Sequence, residues 1–491
     1  MSQIKLHGGS SPVSLLEALR QKGIVLNADC GGRGVCGKCR VLFLDGAPAP
    51  SDADRSLLGE ELIREGWRLA CRAVIREDCT LLLPERDEES MTISTGFLGN
   101  TGPDSPAFSF DGTETVAVDI GTTTIAAVRV LKDAVCSHTA ACVNHQRAFG
   151  SDVLSRIDAS NKGNGPALQE SVLRDLGSLV RDLGFGDTGS PKLVISANTT
   201  MQHLLQGLPC QSLGVAPYTP VDISLHTFRN MTILPGISTF VGADIVSGII
   251  ACGMDESEDL NILIDLGTNG EMVIGKKGKL LCTSTAAGPA FEGGNISCGT
   301  AGIPGAVSAV TITKDGPVIR TIRDMPAIGI CGSGVLEITC ELLKAGLIDE
   351  TGLLDDEYFD DGYSLAGDVV FTQKDVREVQ LAKSAIRAGL EVLLDEYGAS
   401  YDDVKHLFLA GGFGEKINVH KAAGIGLLPE ELEDKAQAVG NSSLQGAVLF
   451  AGHPDLAERF CRVADETREV SLASSPLFQE LYMDHMFFPE V

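Results

Sequence analysis

The sequence predicts a small α+β unit followed by a duplicated, two-lobed α/β body, and three observations carry that fold class. Three cysteines crowd a glycine loop near the start, "ADCGGRGVCGKCR", between a helical stretch and strand-like runs. From residue 115 onward, apolar β-rich runs ending in Gly/Asp/Thr turns alternate with helical stretches. Within that alternation one plan occurs twice, 146 residues apart: "VAVDIGTTTIAAVRV" (116–130) and "ILIDLGTNGEMVIG" (262–275). Each is an apolar strand, an Asp-x-Gly-Thr turn and a second apolar strand, which suggests two lobes facing across a cleft.

The composition agrees with this picture. A chain of 491 residues has room for about three ordinary domains. Its 44% hydrophobic and 21% charged residues are those of a globular protein, and 56 glycines point to many turns. A net charge of −27 argues against a nucleic-acid partner. That charge is uneven, because residues 1–80 are close to neutral and the rest is strongly acidic. Asp119, Asp244 and Asp265 interrupt the longest apolar tracts, so no membrane span is expected, and the first residues hold no apolar signal region. The chain reads as cytoplasmic, where its 14 cysteines suit ligands, reactive thiols or packed residues better than disulfides.

Along the N-terminal unit, "VSLLEALRQKG" (13–23) has helical spacing and a glycine stop, "CRVLFL" alternates as a strand, and "RLACRAVIREDCTLLLP" (68–84) reads as two further strands around Cys71. Residues 85–114 are polar, rich in Ser, Thr, Gly and Pro and without periodicity, as in a linker. The expected division is therefore 1–84, a linker at 85–114, and the body at 115–491.

Cys30, Cys36 and Cys39 follow a Cys-x5-Cys-x2-Cys spacing, and Cys71 comes 32 positions after Cys39. A zinc site usually shows two short-spaced pairs. Three ligands in one loop and a distant fourth fit a [2Fe-2S] cluster, with one residue more than the plant-type spacing. Glycines at 31, 32, 34 and 37 let the backbone aim amides at cluster sulfides. "GRGVCGKC" also resembles a phosphate loop, but Cys39 stands where Ser or Thr would hold magnesium. Cys79 has no partner at ligand spacing and reads as a packed strand residue.

In a nucleotide cleft the repeated turns have suitable chemistry. Asp119 can hold a metal or its water, Gly121 permits close approach, and Thr122, Thr123 and Thr124 offer donors to phosphate. From the other copy Asp265 would face magnesium or the attacking water, with Gly267, Thr268 and Asn269 beside it. The strand-to-turn run "HLFLAGGFG" (406–414) brings Gly411, Gly412 and Gly414, against which a flat ring and ribose could lie. A plain hairpin or a strand-to-helix turn would explain any one of these motifs alone. Asp244 is either a metal-site carboxylate or a helix cap, and Glu271 and Glu292 are candidates to orient water or magnesium. Gly332 and Ser333, with Gly334, shape a helix N-terminus beside the nucleotide. His145 and His203 lack metal-ligand spacing and read as packed or exposed.

Two Asp-x-Gly-Thr motifs followed by "LAGGFG" resemble the actin, sugar-kinase and heat-shock-chaperone ATPase superfamily. Joined to the cysteine loop, the whole chain is similar to the ATP-dependent reductive activators of corrinoid proteins. "NHQRAFGSDVLSRI" (144–157), "ANTTMQHLLQGL" (197–208), "STAAGPAFEGGNISCG" (284–299) and "GNSSLQGA" (440–447) carry the same resemblance. It implies a β-grasp ferredoxin domain, then an actin-like, ribonuclease-H-like duplicated ATPase. It implies a [2Fe-2S] cluster, ATP and Mg2+ as cofactors, a corrinoid protein of a methyltransferase system as partner, and a homodimer. Better-known members of the family carry a further middle domain between ferredoxin and ATPase, where this chain shows only the 85–114 stretch.

The implied reaction is one-electron reduction of Co(II) to Co(I), fed by a low-potential donor such as reduced ferredoxin or flavodoxin. Each further ~59 mV uphill costs tenfold in the equilibrium, so ATP must enter the cycle. The expected coupling is a change of lobe closure with nucleotide, while the cluster unit swings on the linker. Two rivals stand beside this reading: a redox-sensing small-molecule kinase, and a nucleotide-gated binding module with a structural cluster.

Overall fold

The computed structural model describes residues 2–7, 13–22, 24, 26, 28, 30–83, 115–131, 134–185 and 190–490; the 85–114 stretch read as a linker lies outside them. Strands β1 (Ser2–Leu6), β2 (Arg40–Asp45), β3 (Trp67–Leu69) and β4 (Cys79–Leu83) form an antiparallel sheet in the order β1-β4-β2-β3. Helix α1 (Leu15–Gln21), capped by Ser14, buries Leu15, Leu16 and Leu19. Helix α2 (Asp52–Glu65) was not foreseen, although its start is a capping box between Ser51 and Asp54. The buried Asp54 carboxylate accepts from Ser51 N and from Leu69 N, both at 2.7 Å, and so staples α2 to β3. Cys79 packs in this core, as expected.

Cys71 does not sit on a strand. The β2–β3 pairing ends at Leu69, whose carbonyl accepts from Arg72 N and Ala73 N, so the chain curls through 69–73 and carries Cys71 in a turn.

The first lobe is a six-stranded sheet of β5 (Thr115–Ile120), β6 (Thr124–Leu131), β7 (Ala134–Val143), β8 (Lys192–Ala197), β9 (His226–Phe228) and β10 (Met231–Ile233), in the order β7-β6-β5-β8-β10-β9. Helices α3 (Val153–Ala159), α4 (Gly165–Val180) and α5 (Thr199–Gln206) belong to this lobe, and α6 (Ala243–Ala251) follows.

The second lobe begins with β11 (Leu260–Leu266), β12 (Gly270–Lys276) and β13 (Lys279–Thr285). A side sheet of β14 (Ala306–Thr313), β15 (Gly316–Thr321) and β16 (Gly329–Ile330) leads into α7 (Gly332–Lys344). The ribbon β17 (Tyr363–Ala366) and β18 (Val369–Phe371) precedes the long α8 (Gln373–Tyr397). Strands β19 (Val404–Ala410), β20 (Ala436–Gly440) and β21 (Thr467–Glu469) complete the sheet β20-β19-β11-β12-β13-β21. The remaining helices are α9 (Gly411–Gly414), α10 (Val419–Gly424), α11 (Ser442–Gly452), α12 (Ala457–Glu466) and α13 (Pro476–Asp484).

The two sheets repeat one plan. A three-stranded antiparallel meander, β5-β6-β7 or β11-β12-β13, is extended on the first strand's side by two parallel strands, β8-β10 or β19-β20. Helices α6 and α11 cross between the sheets, in one apolar cluster with Ala117 and Val128 from one sheet and Leu263 and Val273 from the other. A Cβ on Gly446 would lie 2.4 Å from the Ser247 Cβ, so the crossing requires glycine there. Among the described residues no helix is long and apolar enough to cross a membrane.

Candidate functional site

The cysteine loop brings its four thiols together as two pairs. Cys30 and Cys36 are hydrogen-bonded partners, as are Cys39 and Cys71. The bond from Cys71 holds Cys39 down at about 7, against burial, and the same bond together with burial pushes Cys71 up. Burial works to raise Cys30 but is outweighed by amide donors from Val35, Cys36 and Gly34, so its thiol is lowered; Cys36 is raised by burial. The glycines at 31, 32, 34 and 37 all have positive φ, which turns the loop around the thiols. Among the described residues, no three His, Cys, Asp or Glu side chains are arranged to hold a single metal ion. Two thiol pairs wrapped by amides suit a two-iron group instead, with two thiolates for each iron. The described cysteines are free thiols, so none is lost to a disulfide.

The cleft is built from both sheets. Asp119 and Asp265 lie in corresponding positions near the ends of β5 and β11, and their charges reach each other. Asp119 accepts from Ser443 Oγ at 2.7 Å and Asn441 Nδ2 at 2.8 Å, both at the start of α11. Ser443 Oγ also lies 2.9 Å from the Ser196 hydroxyl, from which it can accept, and Ser196 is in turn 2.9 Å from Ser247 on α6. Glu292 accepts from Thr268 Oγ1 at 2.7 Å and from Thr123 Oγ1 at 3.4 Å, and so bridges the two repeated turns. Asn269 donates to Glu271 at 3.3 Å, and Thr122 accepts from Asn198 at 3.1 Å.

The carboxylates crowd one another. Burial, then the charges of Asp244, Asp119 and Glu292, raises Asp265 to about 7. Asp244 is likewise raised to about 7 by burial and then by Asp119. Burial raises Asp119, Glu271 and Glu292, only partly offset by their hydrogen-bond donors. So many mutually repelling acids form a site that gains by taking up a cation. Mg2+ typically arrives with phosphates, keeps several waters and takes one or two carboxylates, so the site need not be closed beforehand.

The glycine turns behave differently from one another. Gly411, with φ of 85°, packs against Asp265, whose Oδ1 a Cβ would meet at 2.7 Å. Gly412 is exposed with open space around it, the surface a ring could cover, while Gly414 backs onto Leu409. Phe413 stacks on Phe291, centroids 4.9 Å apart, tying this turn to the segment that carries Glu292. Gly332 and Ser333 open α7, and Gly332 must be glycine because Phe291 O lies 1.7 Å from its Cβ position. Asp244 lies in the first turn of α6 and accepts from Ile245 N; it is not the cap residue, which is Gly242. His203 is buried between Thr199 O and Val221 N, and His145 pairs with Asp175, so both are structural.

Asn441, Ser443, Asn198, Asn144 and Arg156 were not singled out as site residues. Asn144 donates to Gly121 O at 2.8 Å and Arg156 to Thr122 O at 2.6 Å, holding the first turn from behind. Each of the three asparagines precedes a helical segment as its N-cap, which was the available signal.

Comparison with known proteins agrees with this architecture. Residues 9–76 match the 2Fe-2S iron-sulfur cluster binding domain, 115–257 the RACo middle region, and 259–491 the C-terminal domain of RACo, the ASKHA domain. The middle region is thus present and coincides with the first lobe, which corrects the expectation that only the 85–114 stretch stood in its place. Corrinoid activation enzyme RamQ of Eubacterium limosum is 31% identical over 422 residues, covering 76% of this chain and 70% of that protein. The [Co(II) methylated amine-specific corrinoid protein] reductase of Methanosarcina barkeri is 30% identical over 274 residues, and the chain spans half of its length. A solved reductive activator for corrinoid,iron-sulfur protein superposes with a TM-score of 0.69 at 27% identity, covering 97% of this chain and 96% of that one. The chain therefore belongs to the family of corrinoid activation enzymes, a 2Fe-2S domain joined to a body with the actin-like ASKHA fold.

Proposed function

We propose that this protein reduces the Co(II) corrinoid of a partner protein to Co(I), taking one electron from a low-potential donor for each cobalt. ATP with Mg2+, bound in the cleft and hydrolysed, drives that uphill step. The observation that carries the reading is the Glu292 bridge: one carboxylate holds a hydroxyl from each repeated turn, so phosphates entering between Thr123 and Thr268 must engage both lobes.

Cys30, Cys36, Cys39 and Cys71 would hold a [2Fe-2S] cluster, which supplies a one-electron carrier. The loop glycines keep amides on the thiolates and lower Cys30 toward its ligating form. In the cleft, Thr122–Thr124 and Thr268 offer hydroxyls and amides to phosphate oxygens. Asp119 and Asp265, close enough to feel each other's charge and that of Asp244, would take Mg2+ or its water, with Glu271 adding to the same acidic cluster. The exposed face of Gly412 would receive the base and ribose. Because ATP drives turnover only if the two cobalt states bind differently, nucleotide must change the lobes' hold on the partner.

The experiment is stopped-flow formation of Co(I) on a cobalamin-binding methyl-transfer protein, with a low-potential reductant, with and without ATP and Mg2+. The expected result is ATP-dependent Co(I) and phosphate release. Equal Co(I) yields with and without ATP would remove the ATPase role, and phosphorylation of a metabolite would favour a kinase.

A further inference from the structure

One short segment of the first lobe, residues 144–156, touches the nucleotide turn on one side and the cysteine domain on the other. Toward the cleft it holds three successive carbonyls. Asn144 Nδ2 donates to Gly121 O at 2.8 Å, Arg156 Nη2 to Thr122 O at 2.6 Å, and Asn144 N to Thr123 O at 2.9 Å. Asn144 and Arg156 are completely buried, so breaking these bonds would leave buried donors to be satisfied.

Away from the cleft the same segment receives the N-terminal domain. Arg20, in the last turn of α1, donates to Ala148 O, and its guanidinium lies 4.7 Å from the Phe149 ring centre. Gly31 of the cysteine loop comes so close to Phe149 that a Cβ there would be 3.1 Å from its carbonyl oxygen. The two ends are joined inside the segment: Phe149 N bonds to Gln146 O, Gln146 N to Asn144 Oδ1, and Arg156 Nε to Gly150 O.

The N-terminal domain has its own apolar core, formed by residues 4–83, and among the described residues its contacts named above with the lobe are of a polar and cation–π kind. A domain with its own core and such a contact can detach and keep its core folded, while α1, no longer braced at its last turn, opens locally more often.

We propose that residues 144–156 are a relay between nucleotide and cysteine domain, with Asn144, Phe149 and Arg20 as positioning residues. Phosphates that draw the Thr122–Thr124 turn into the cleft strain the bonds that Asn144 and Arg156 make behind it. The turn at 145–150 then loosens, and the purchase of Arg20 on Ala148 and Phe149 is lost. Nucleotide thereby frees the domain that carries the electron. This rests on the cleft being an ATP site.

The test is hydrogen exchange on the full chain, loaded with its cluster, with and without ATP and Mg2+. Slowed exchange at 121–124 together with several-fold faster exchange at 15–22 and 145–150 supports the relay. In Arg20→Ala and Phe149→Ala, exchange at 15–22 should be fast throughout and indifferent to ATP, with cluster absorbance retained; Phe149→Tyr, which keeps the ring, should restore the response. If Arg20→Ala fails to load its cluster, the Phe149 variants decide, since they lie in the other domain. A response at 121–124 with unchanged or slowed exchange at 15–22 overturns the relay alone. No response at 121–124 overturns the nucleotide reading and the relay with it.

Discussion

Ser443, on the helix that crosses between the lobes, donates a 2.7 Å hydrogen bond to Asp119 at the end of the first repeated strand. The two residues are 324 positions apart, yet this bond and that of Asn441 are what offset the burial of the carboxylate. Whatever moves α11 relative to β5 therefore changes the charge and aim of Asp119.

Ser443→Ala should accordingly lower the ATP-dependent rate of Co(I) formation roughly ten- to a hundredfold. That range corresponds to the ~1.5–3 kcal/mol of a hydrogen bond to a charged group. Asp119 would also need a higher pH to ionise, so the acidic limb of the pH–rate profile should move upward, whereas Ser443→Thr, which keeps the hydroxyl, should leave it in place. An unshifted limb in Ser443→Ala would show that Asp119 is not used in its charged form.

The crossing of α6 and α11 leads to a stability prediction. Gly446→Ala places a methyl within 2.5 Å of the Ser247 Cα and carbonyl oxygen, which backbone cannot evade cheaply. Overpacking of this kind costs about 1–3 kcal/mol. The thermal midpoint of the body should fall by several degrees while the cluster absorbance, which belongs to a separate core, is unchanged before melting.

The cysteine pairs predict a clean separation of functions. Cys39→Ala removes one partner of the Cys39–Cys71 pair and should abolish the visible absorbance of the cluster together with cobalt reduction. Nucleotide binding to the body should persist, because Cys39 takes no part in the Arg20 contact with the lobe and the N-terminal core shares no residues with the cores of the lobes. Titration with a fluorescent ATP analogue, set beside the absorbance spectrum, checks both halves.

What was legible in the sequence was local. Asp119 and Asp265 announced themselves because strand, turn and strand are contiguous, and a continuous apolar run broken only by the aspartate marks each first strand. The glycines at 411, 412 and 414 were readable as a turn, but only the structure distinguishes Gly411, pressed on Asp265, from Gly412, which is open. Helix α2 carried a readable Ser51-x-x-Asp54 capping signal, while its kink at Gly59 blunted any helical apolar period. Cys71 read as a strand residue because nothing in a short apolar run tells where pairing stops. The long-range partners were invisible for a different reason. Arg156 looks like any surface arginine until Thr122 O and Gly150 O close around it, and Ser443 meets Asp119 only after both sheets have formed.

The raised carboxylates make the last prediction, and its sign follows from linkage. Asp265 has an ordinary value near 4 in the unfolded chain and about 7 in the cleft, so the folded state binds the extra proton. The stability this contributes is fully present below about pH 4 and is lost as pH rises toward and through 7. Without Mg2+, the thermal midpoint should therefore decline between pH 5 and pH 7.5. The cost of ionising Asp265 in place has an upper bound of about 4 kcal/mol, reduced by its partial exposure to solvent. Asp265→Asn cannot ionise there and should show a shallower decline. A divalent cation reverses the repulsion, so millimolar Mg2+ with ATP at pH 7.5 should raise the midpoint of the parent chain more than that of the variant. Equal slopes and equal cation responses in the two proteins, measured by scanning calorimetry, would remove Asp265 from the cation site.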